Sequence, residues 1–245
     1  SRVHAIKRDV DYMYVILPFV EDFYKKYDYK VHFVGHPLID AINDREIISE
    51  QDFRRVNNLD EKPIIALLPG SRKQEITKML SVMLSVVQDF KDYQFVIAGA
   101  PSQEFSFYQT FLKNENVHFI SNKTYDLLSF SHAALVTSGT ATLETALFKV
   151  PEVVCYKGGW ISYQIAKRII TLKYISLVNL IMDREVVKEL IQADLNPKNL
   201  KIELTKILDE TNRKQIFKDY QELKMRLGGA GASAKTAQLI VNSIK

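Results

Sequence analysis

Two short segments of this chain carry residue types suited to holding an anion. The first is Leu67-Leu68-Pro69-Gly70-Ser71-Arg72-Lys73-Gln74-Glu75-Ile76. An apolar run ends at Pro69, Gly70 permits a tight turn, Ser71 is placed to cap a helix, and Arg72 sits at its start. Free N–H groups at a helix start attract phosphate, and a guanidinium grips one through two parallel hydrogen bonds. The same residues equally suit a plain strand–helix turn with a serine cap and a solvated arginine. A P-loop is excluded, because the Gly-Lys-Ser/Thr ending is absent. The second segment is Thr137-Ser138-Gly139-Thr140-Ala141-Thr142-Leu143-Glu144. Hydroxyls and a glycine between strand and helix let backbone and side-chain donors surround an anion. Glu144 falls one turn into the helix, where a carboxylate accepts from both hydroxyls of a ribose. The alternative is that Thr140 and Glu144 serve only the helix's own N-terminus. Two such loops on one sheet edge point to a diphosphate-bearing nucleotide, with one anchor for phosphate and one for ribose.

Other chemistry-bearing residues are less directional. Trp160, Tyr163, Lys167, Arg168, Lys173 and Tyr174 mix aromatic and basic character, which suits either a membrane-surface patch or a solvated helix face. Asn179 is polar within the apolar stretch Leu177 to Met182, as an inward ligand contact or as a loop residue. The five histidines show no metal-ligand spacing, and His36 falls in a turn. Cys155 is the sole cysteine; it reads as a small core residue and excludes a disulfide framework or a multi-cysteine metal site.

The elements that must position these residues alternate. Strands are predicted at Tyr12 to Leu17, Val31 to Val34, Pro63 to Leu68, Gln94 to Ala98, Val117 to Ile120, Ala134 to Thr137 and Glu152 to Tyr156. Helices are predicted at Pro18 to Tyr27, Ile47 to Val56, Ile76 to Phe90, Ser106 to Lys113, Tyr125 to Phe130 and Thr140 to Phe148. His36-Pro37 reads as a break, and the chain from Gly158 onward as mostly helical. Strands separated by helical crossovers predict an α/β fold, a Rossmann-like parallel sheet with helices on both faces. In such sheets ligands bind outside the carboxyl ends of the strands, where both candidate loops fall. Leu227-Gly228-Gly229-Ala230-Gly231 reads as a break before a last helix, Ser233 to Ile244.

The 245 residues are 47% hydrophobic and 25% charged, a globular composition that excludes wholesale disorder. Lysine and arginine total 33 against 29 acids, and a surplus of +4 gives no argument for nucleic acid as a partner. No apolar run approaches the roughly 20 residues of a membrane-spanning helix.

One ordered set of segments resembles a known family. It comprises Ile16-Leu17-Pro18-Phe19, Phe33-Val34-Gly35-His36-Pro37-Leu38, Leu68-Pro69-Gly70-Ser71-Arg72 with Glu75, and Ser138 to Glu144. Val153-Val154 with Tyr156-Lys157, Tyr174-Ile175-Ser176-Leu177 with Asn179, and Arg184 to Gln192 complete it. Together they resemble the lipid-A-disaccharide synthases, inverting glycosyltransferases of the two-domain GT-B type. Val178 and Glu152 depart from that pattern, where proline and a hydrophobic residue are usual.

The resemblance implies that UDP-2,3-diacylglucosamine donates its sugar to 2,3-diacylglucosamine 1-phosphate, giving a lipid A disaccharide and UDP. It implies that Gly70, Ser71 and Arg72 meet the diphosphate and that Glu75 supports their loop. Ser138, Gly139, Thr140 and Thr142 form the second donor loop, Glu144 holds the ribose, and Asn179 lies near the donor. No metal and no other cofactor is implied, and the general base is expected in an N-terminal domain preceding this sequence, so that the chain alone has little activity. Residues 1–40 are then a remnant of the acceptor domain, 41–227 the UDP-sugar-binding domain, and 228–245 a hinge and C-terminal helix. The implied location is the bacterial cytoplasm, peripheral on the inner membrane. A different UDP-sugar GT-B protein, such as a UDP-GlcNAc transferase or epimerase, would share the Ser138 loop but not the Gly35-His36-Pro37 and Arg184 to Gln192 segments together. A non-catalytic nucleotide-binding module is the third reading.

Overall fold

Runs such as Ile64-Ile65-Ala66-Leu67-Leu68, apolar at every position, need cover on both faces of the strand they form. The computed structural model, which describes residues 2–112, 117–158 and 173–244, provides that cover. The chain divides into two compact units, Ser1–Glu46 with Gln221–Lys245, and Ile47–Tyr220.

In the first unit, α1 (Arg2–Asp9), β1 (Tyr14–Val15), α2 (Phe19–Lys25), β2 (His32–Phe33) and α3 (Pro37–Asn43) follow in order. β1 and β2 pair in parallel, and Val15, Tyr24 and Val31 form a small core that Val3 and Ile6 of α1 extend. The two predicted strands shrink to two residues each, because the ladder pairs only Tyr14 with His32 and Val15 with Phe33. His36-Pro37 opens a helix instead of breaking one. Pro37 occupies the first turn, where its missing N–H is no loss, and His36 Nδ1 accepts from the Leu38 N–H at 3.2 Å. Burial lowers the His36 pKa and so favours the neutral ring that this acceptor role requires. Asp40 accepts from the N–H groups of Gly231 at 2.6 Å and Ser233 at 2.9 Å, tying down the turn before the last helix, Ala232–Ile244.

The second unit runs α4 (Glu50–Val56), β3 (Ile64–Leu68), α5 (Lys73–Leu84), β4 (Gln94–Gly99), α6 (Phe105–Gln109) and β5 (Val117–Ser121). It continues α7 (Thr124–Ser129), β6 (Ser131–Thr137), α8 (Thr140–Leu147), β7 (Glu152–Tyr156), α9 (Leu177–Met182) and β8 (Lys188–Ile191). Two helices follow, α10 (Pro197–Leu208) and α11 (Glu210–Arg226), the latter running past Tyr220. Six strands form one parallel sheet in the order β5-β4-β3-β6-β7-β8. Alternate residues of β3 enter different cores. Ile65 and Leu67 pack with Ile76, Met79 and Leu80 of α5 and with Leu200 and Leu204 of α10. Ile64, Ala66 and Leu68 pack with Phe53 of α4 and Leu127 and Leu128 of α7.

One expectation is corrected and one is extended. The helix predicted at Ile76 to Phe90 is the shorter α5 followed by a 3₁₀ turn at Val87–Asp89. The described residues after Gly158 are mostly helical as expected, but they also supply a strand that was not expected, Lys188–Ile191, which pairs with β7 on the sheet edge. Of the aromatic and basic group, Trp160, Tyr163, Lys167 and Arg168 lie outside the described residues, and Lys173 Nζ sits 5.2 Å from the Tyr174 ring centroid. No helix among the described residues is long and apolar enough to cross a membrane.

Candidate functional site

Strand order reverses between β3 and β6, because β3 leads to β4 on one side while β6 leads to β7 on the other. A crevice opens at such a reversal, outside the carboxyl ends of the strands. Here it is a cavity of about 350 Å³, and both sequence-predicted loops line it. Gly70, Ser71 and Glu75 come from the β3 side, and Ser138, Gly139, Thr140 and Glu144 from the β6 side.

The first loop turns because Gly70 adopts a φ of +104°, a conformation open to glycine without steric penalty. A Cβ there would also run into the Glu75 carboxylate, which reaches back to accept from the Ser71 N–H at 3.3 Å. Ser71 is not the helix cap: α5 begins after Arg72, which has extended backbone and makes no side-chain cap bond. The Ser71 carbonyl accepts from the Ser102 hydroxyl at 3.0 Å, which fixes the loop against the segment after β4.

In the second loop Gly139 is the N-cap of α8, so that helix start has no side-chain cap. Nothing lies within 4 Å of where a Gly139 Cβ would stand, leaving the backbone open to close approach. Uncapped N–H groups and the positive end of the helix dipole favour an anion at this point. Ser138 donates to the Ile175 carbonyl at 3.0 Å and keeps its oxygen lone pairs as acceptors. Thr142 is fully buried and its hydroxyl returns to the Gly139 carbonyl at 2.8 Å, so it braces the turn and does not line the cavity.

Glu144 accepts from the Tyr125 hydroxyl at 3.1 Å. Burial raises the Glu144 pKa while the Tyr125 bond opposes that shift. Burial and the Glu144 charge push Tyr125 up to about 12, which keeps the phenol a donor. One carboxylate oxygen is thus oriented by a fixed donor 19 residues earlier in the chain.

Two predicted residues stand elsewhere. Arg72 is exposed and lines a neighbouring cavity with Lys73 and Lys157. Asn179 is fully buried and is not among the lining residues. Its carbonyl accepts from Val186 and Val187 N–H at 2.7 and 3.0 Å, and its amide donates to the Val187 carbonyl and Glu189 at 2.8 and 2.9 Å. Glu189 also accepts from the Ser176 N–H and hydroxyl at 2.9 and 2.7 Å, so this cluster fastens the start of α9 to β8. Sequence reasoning passed over the far wall, Ala98 to Pro101 and Thr124. The position of Gly99-Ala100-Pro101 directly after a strand was the available signal.

Comparison with known proteins follows the same lines. The family model for lipid-A-disaccharide synthetase matches residues 1–243. A lipid-A-disaccharide synthase of Syntrophus aciditrophicus is 36% identical over 259 residues, covering 100% of this chain and 66% of that protein. One from Coxiella burnetii is 35% identical over 250 residues with the same coverage. The chain thus spans 66% of the length of these curated relatives. Among solved structures, the UDP-GlcNAc 2-epimerase of Neisseria meningitidis bound to UDP-GlcNAc has a TM-score of 0.67 at 15% identity, covering 94% of this chain and 61% of that one. A wall teichoic acid polymerase has a TM-score of 0.58 at 16% identity, covering 99% and 58%. At those identities the likeness is one of fold, while the sequence match fixes the family: this chain belongs to the lipid-A-disaccharide synthetases.

Proposed function

We propose that the cavity at the β3–β6 reversal holds the UDP part of UDP-2,3-diacylglucosamine, and that the whole protein transfers that sugar to 2,3-diacylglucosamine 1-phosphate. The observation that carries this reading is the convergence of the Gly70 turn, the uncapped start of α8 and the Glu144 carboxylate on one cavity. In this reading Ser71 and the N–H groups from Gly139 onward bind the diphosphate. Glu144 accepts from the ribose hydroxyls, with Tyr125 fixing its orientation. The α8 N-terminus offsets the charge that develops on the departing diphosphate.

The acceptor side and the general base belong to the part of the relatives' length outside this chain, which spans 66% of it. Residues 1–40 then adjoin that acceptor domain, and the chain by itself binds nucleotide with little transfer. Acylated substrates place the protein peripherally on the cytoplasmic face of the bacterial inner membrane.

Calorimetric titration tests the assignment. Glu144→Ala is expected to weaken UDP binding by about tenfold or more, since hydrogen bonds to charged groups contribute about 1.5–3 kcal/mol. The same variant is expected to lose clearly less affinity for 2′-deoxy-UDP, which keeps only the 3′-hydroxyl as a donor to the carboxylate. Equal losses for both nucleotides would remove Glu144 from the ribose, and no UDP binding by the folded chain would remove the donor site.

A further inference from the structure

Glu75 also borders a second cavity, of about 440 Å³, between the N-terminal half of α5 and the end of β7. Four cationic side chains from two separate elements line it: Arg72, Lys73 and Lys78 of the α5 segment, and Lys157 just beyond β7. The first cavity has no lysine or arginine in its lining. Among the described residues none of the four is in an ion pair. Lys73 instead lies over the Phe107 ring at 5.3 Å. The single carboxylate in the lining, Glu75, is engaged by the Ser71 N–H. Nor does the adjoining sequence hold a counter-charge, because no Asp or Glu occurs between Glu152 and Asp183. Like charges gathered in one cavity repel, and an anion relieves that repulsion.

We propose that this second cavity binds a phosphate monoester. Such a group is close to a dianion at neutral pH and offers three strong acceptor oxygens. Lys78 and Lys157 supply compact charges from two separate elements, and the Arg72 fork supplies paired donors. The Tyr156 hydroxyl stands over Gly158, so close that a Cβ there would lie 2.6 Å from it, and it adds a neutral donor to the lining. The inference extends beyond the UDP reading and does not depend on it, since its test uses two lysines that the UDP reading leaves unassigned.

The test compares the chain with a Lys78→Gln/Lys157→Gln variant, using glucose 1-phosphate by calorimetry and phosphatidic-acid-containing vesicles by co-sedimentation. Glucose 1-phosphate is expected to bind, and the double variant to lose about tenfold or more in affinity, as for charge-assisted bonds. UDP affinity is expected to stay within about twofold, which also reports that the variant is folded. If only the phosphatidic-acid vesicles bind, and the double variant releases them, the monoester is lipid-borne and the proposal stands. It is overturned if neither probe binds, if the double variant binds both as tightly as the parent, or if UDP affinity falls in parallel. Failure of UDP binding alone, with glucose 1-phosphate still lost in the variant, counts against the UDP reading and supports this one.

Discussion

Glu152 offers a sharp test of how this sheet is held together. It is the first residue of β7, opposite Ala134 of β6, and is 1% exposed. Neither carboxylate oxygen has a hydrogen-bond partner among the described residues. Burial holds its pKa well above its ordinary value of 4.5, and its charge in turn helps raise the buried Cys155 and Tyr220. A buried polar group without a partner costs about 1–3 kcal/mol, while a volume-conserving apolar swap costs less than about 1.5. Glu152→Met is therefore expected to stabilise the chain at pH 8 by up to about 3 kcal/mol, with about 2–4 °C in Tm per kcal/mol. The sign of the pH dependence follows from the raised pKa. Above pH 4.5 the unfolded chain releases a proton that the folded chain keeps, so stability falls as pH rises toward the folded pKa. The slope is at most about 1.4 kcal/mol per pH unit for one group. Urea unfolding followed by circular dichroism from pH 4.5 to 8.5 measures it. The advantage of the variant should be smallest at the acid end and grow with pH, and Glu152→Gln should flatten the same slope. An advantage independent of pH, or a variant less stable than the parent at pH 8, would refute the reasoning.

Other outcomes follow from the two loops and their supports. Gly70→Ala forces a side chain into a positive-φ position against Glu75 and is expected to destabilise by about 1–3 kcal/mol, seen in urea midpoints, with weaker UDP binding by calorimetry. Asn179→Leu strands the part-buried Val186 and the buried Val187 N–H groups and should lower stability by about 2 kcal/mol. The folded fraction of that variant is expected to bind UDP as the parent does. A loss of UDP affinity at unchanged stability would make Asn179 a ligand contact after all.

The central strands were legible because Ile64–Leu68, Gln94–Gly99 and Glu152–Tyr156 are short, mostly apolar and bounded by turn residues. The Gly70 and Ser138 turns were legible for the same reason, as they interrupt that alternation at strand ends. β8 was not legible, since Lys-Glu-Leu-Ile becomes a strand only by pairing with β7, and only Leu190 of it is buried. α3 was hidden because its cap is a histidine, an unusual acceptor, ahead of a proline that reads as a breaker. Tyr125 orienting Glu144 within the site, and Asn179 bonding Val186 and Glu189 beside it, are contacts made across 19 and 7–10 residues, which no local pattern encodes. Ser71 lost its expected capping role because α5 begins one residue later, after Arg72, and Glu75 reaches back to the Ser71 N–H.

The most direct test of the donor-site account is an amide chemical-shift titration of the chain with UDP. Shifts are expected to concentrate at two separate stretches, Gly70 to Ser71 and Ser138 to Ala141, saturating together with one dissociation constant. Shifts confined to one stretch, or centred away from the β3–β6 reversal, would contradict it.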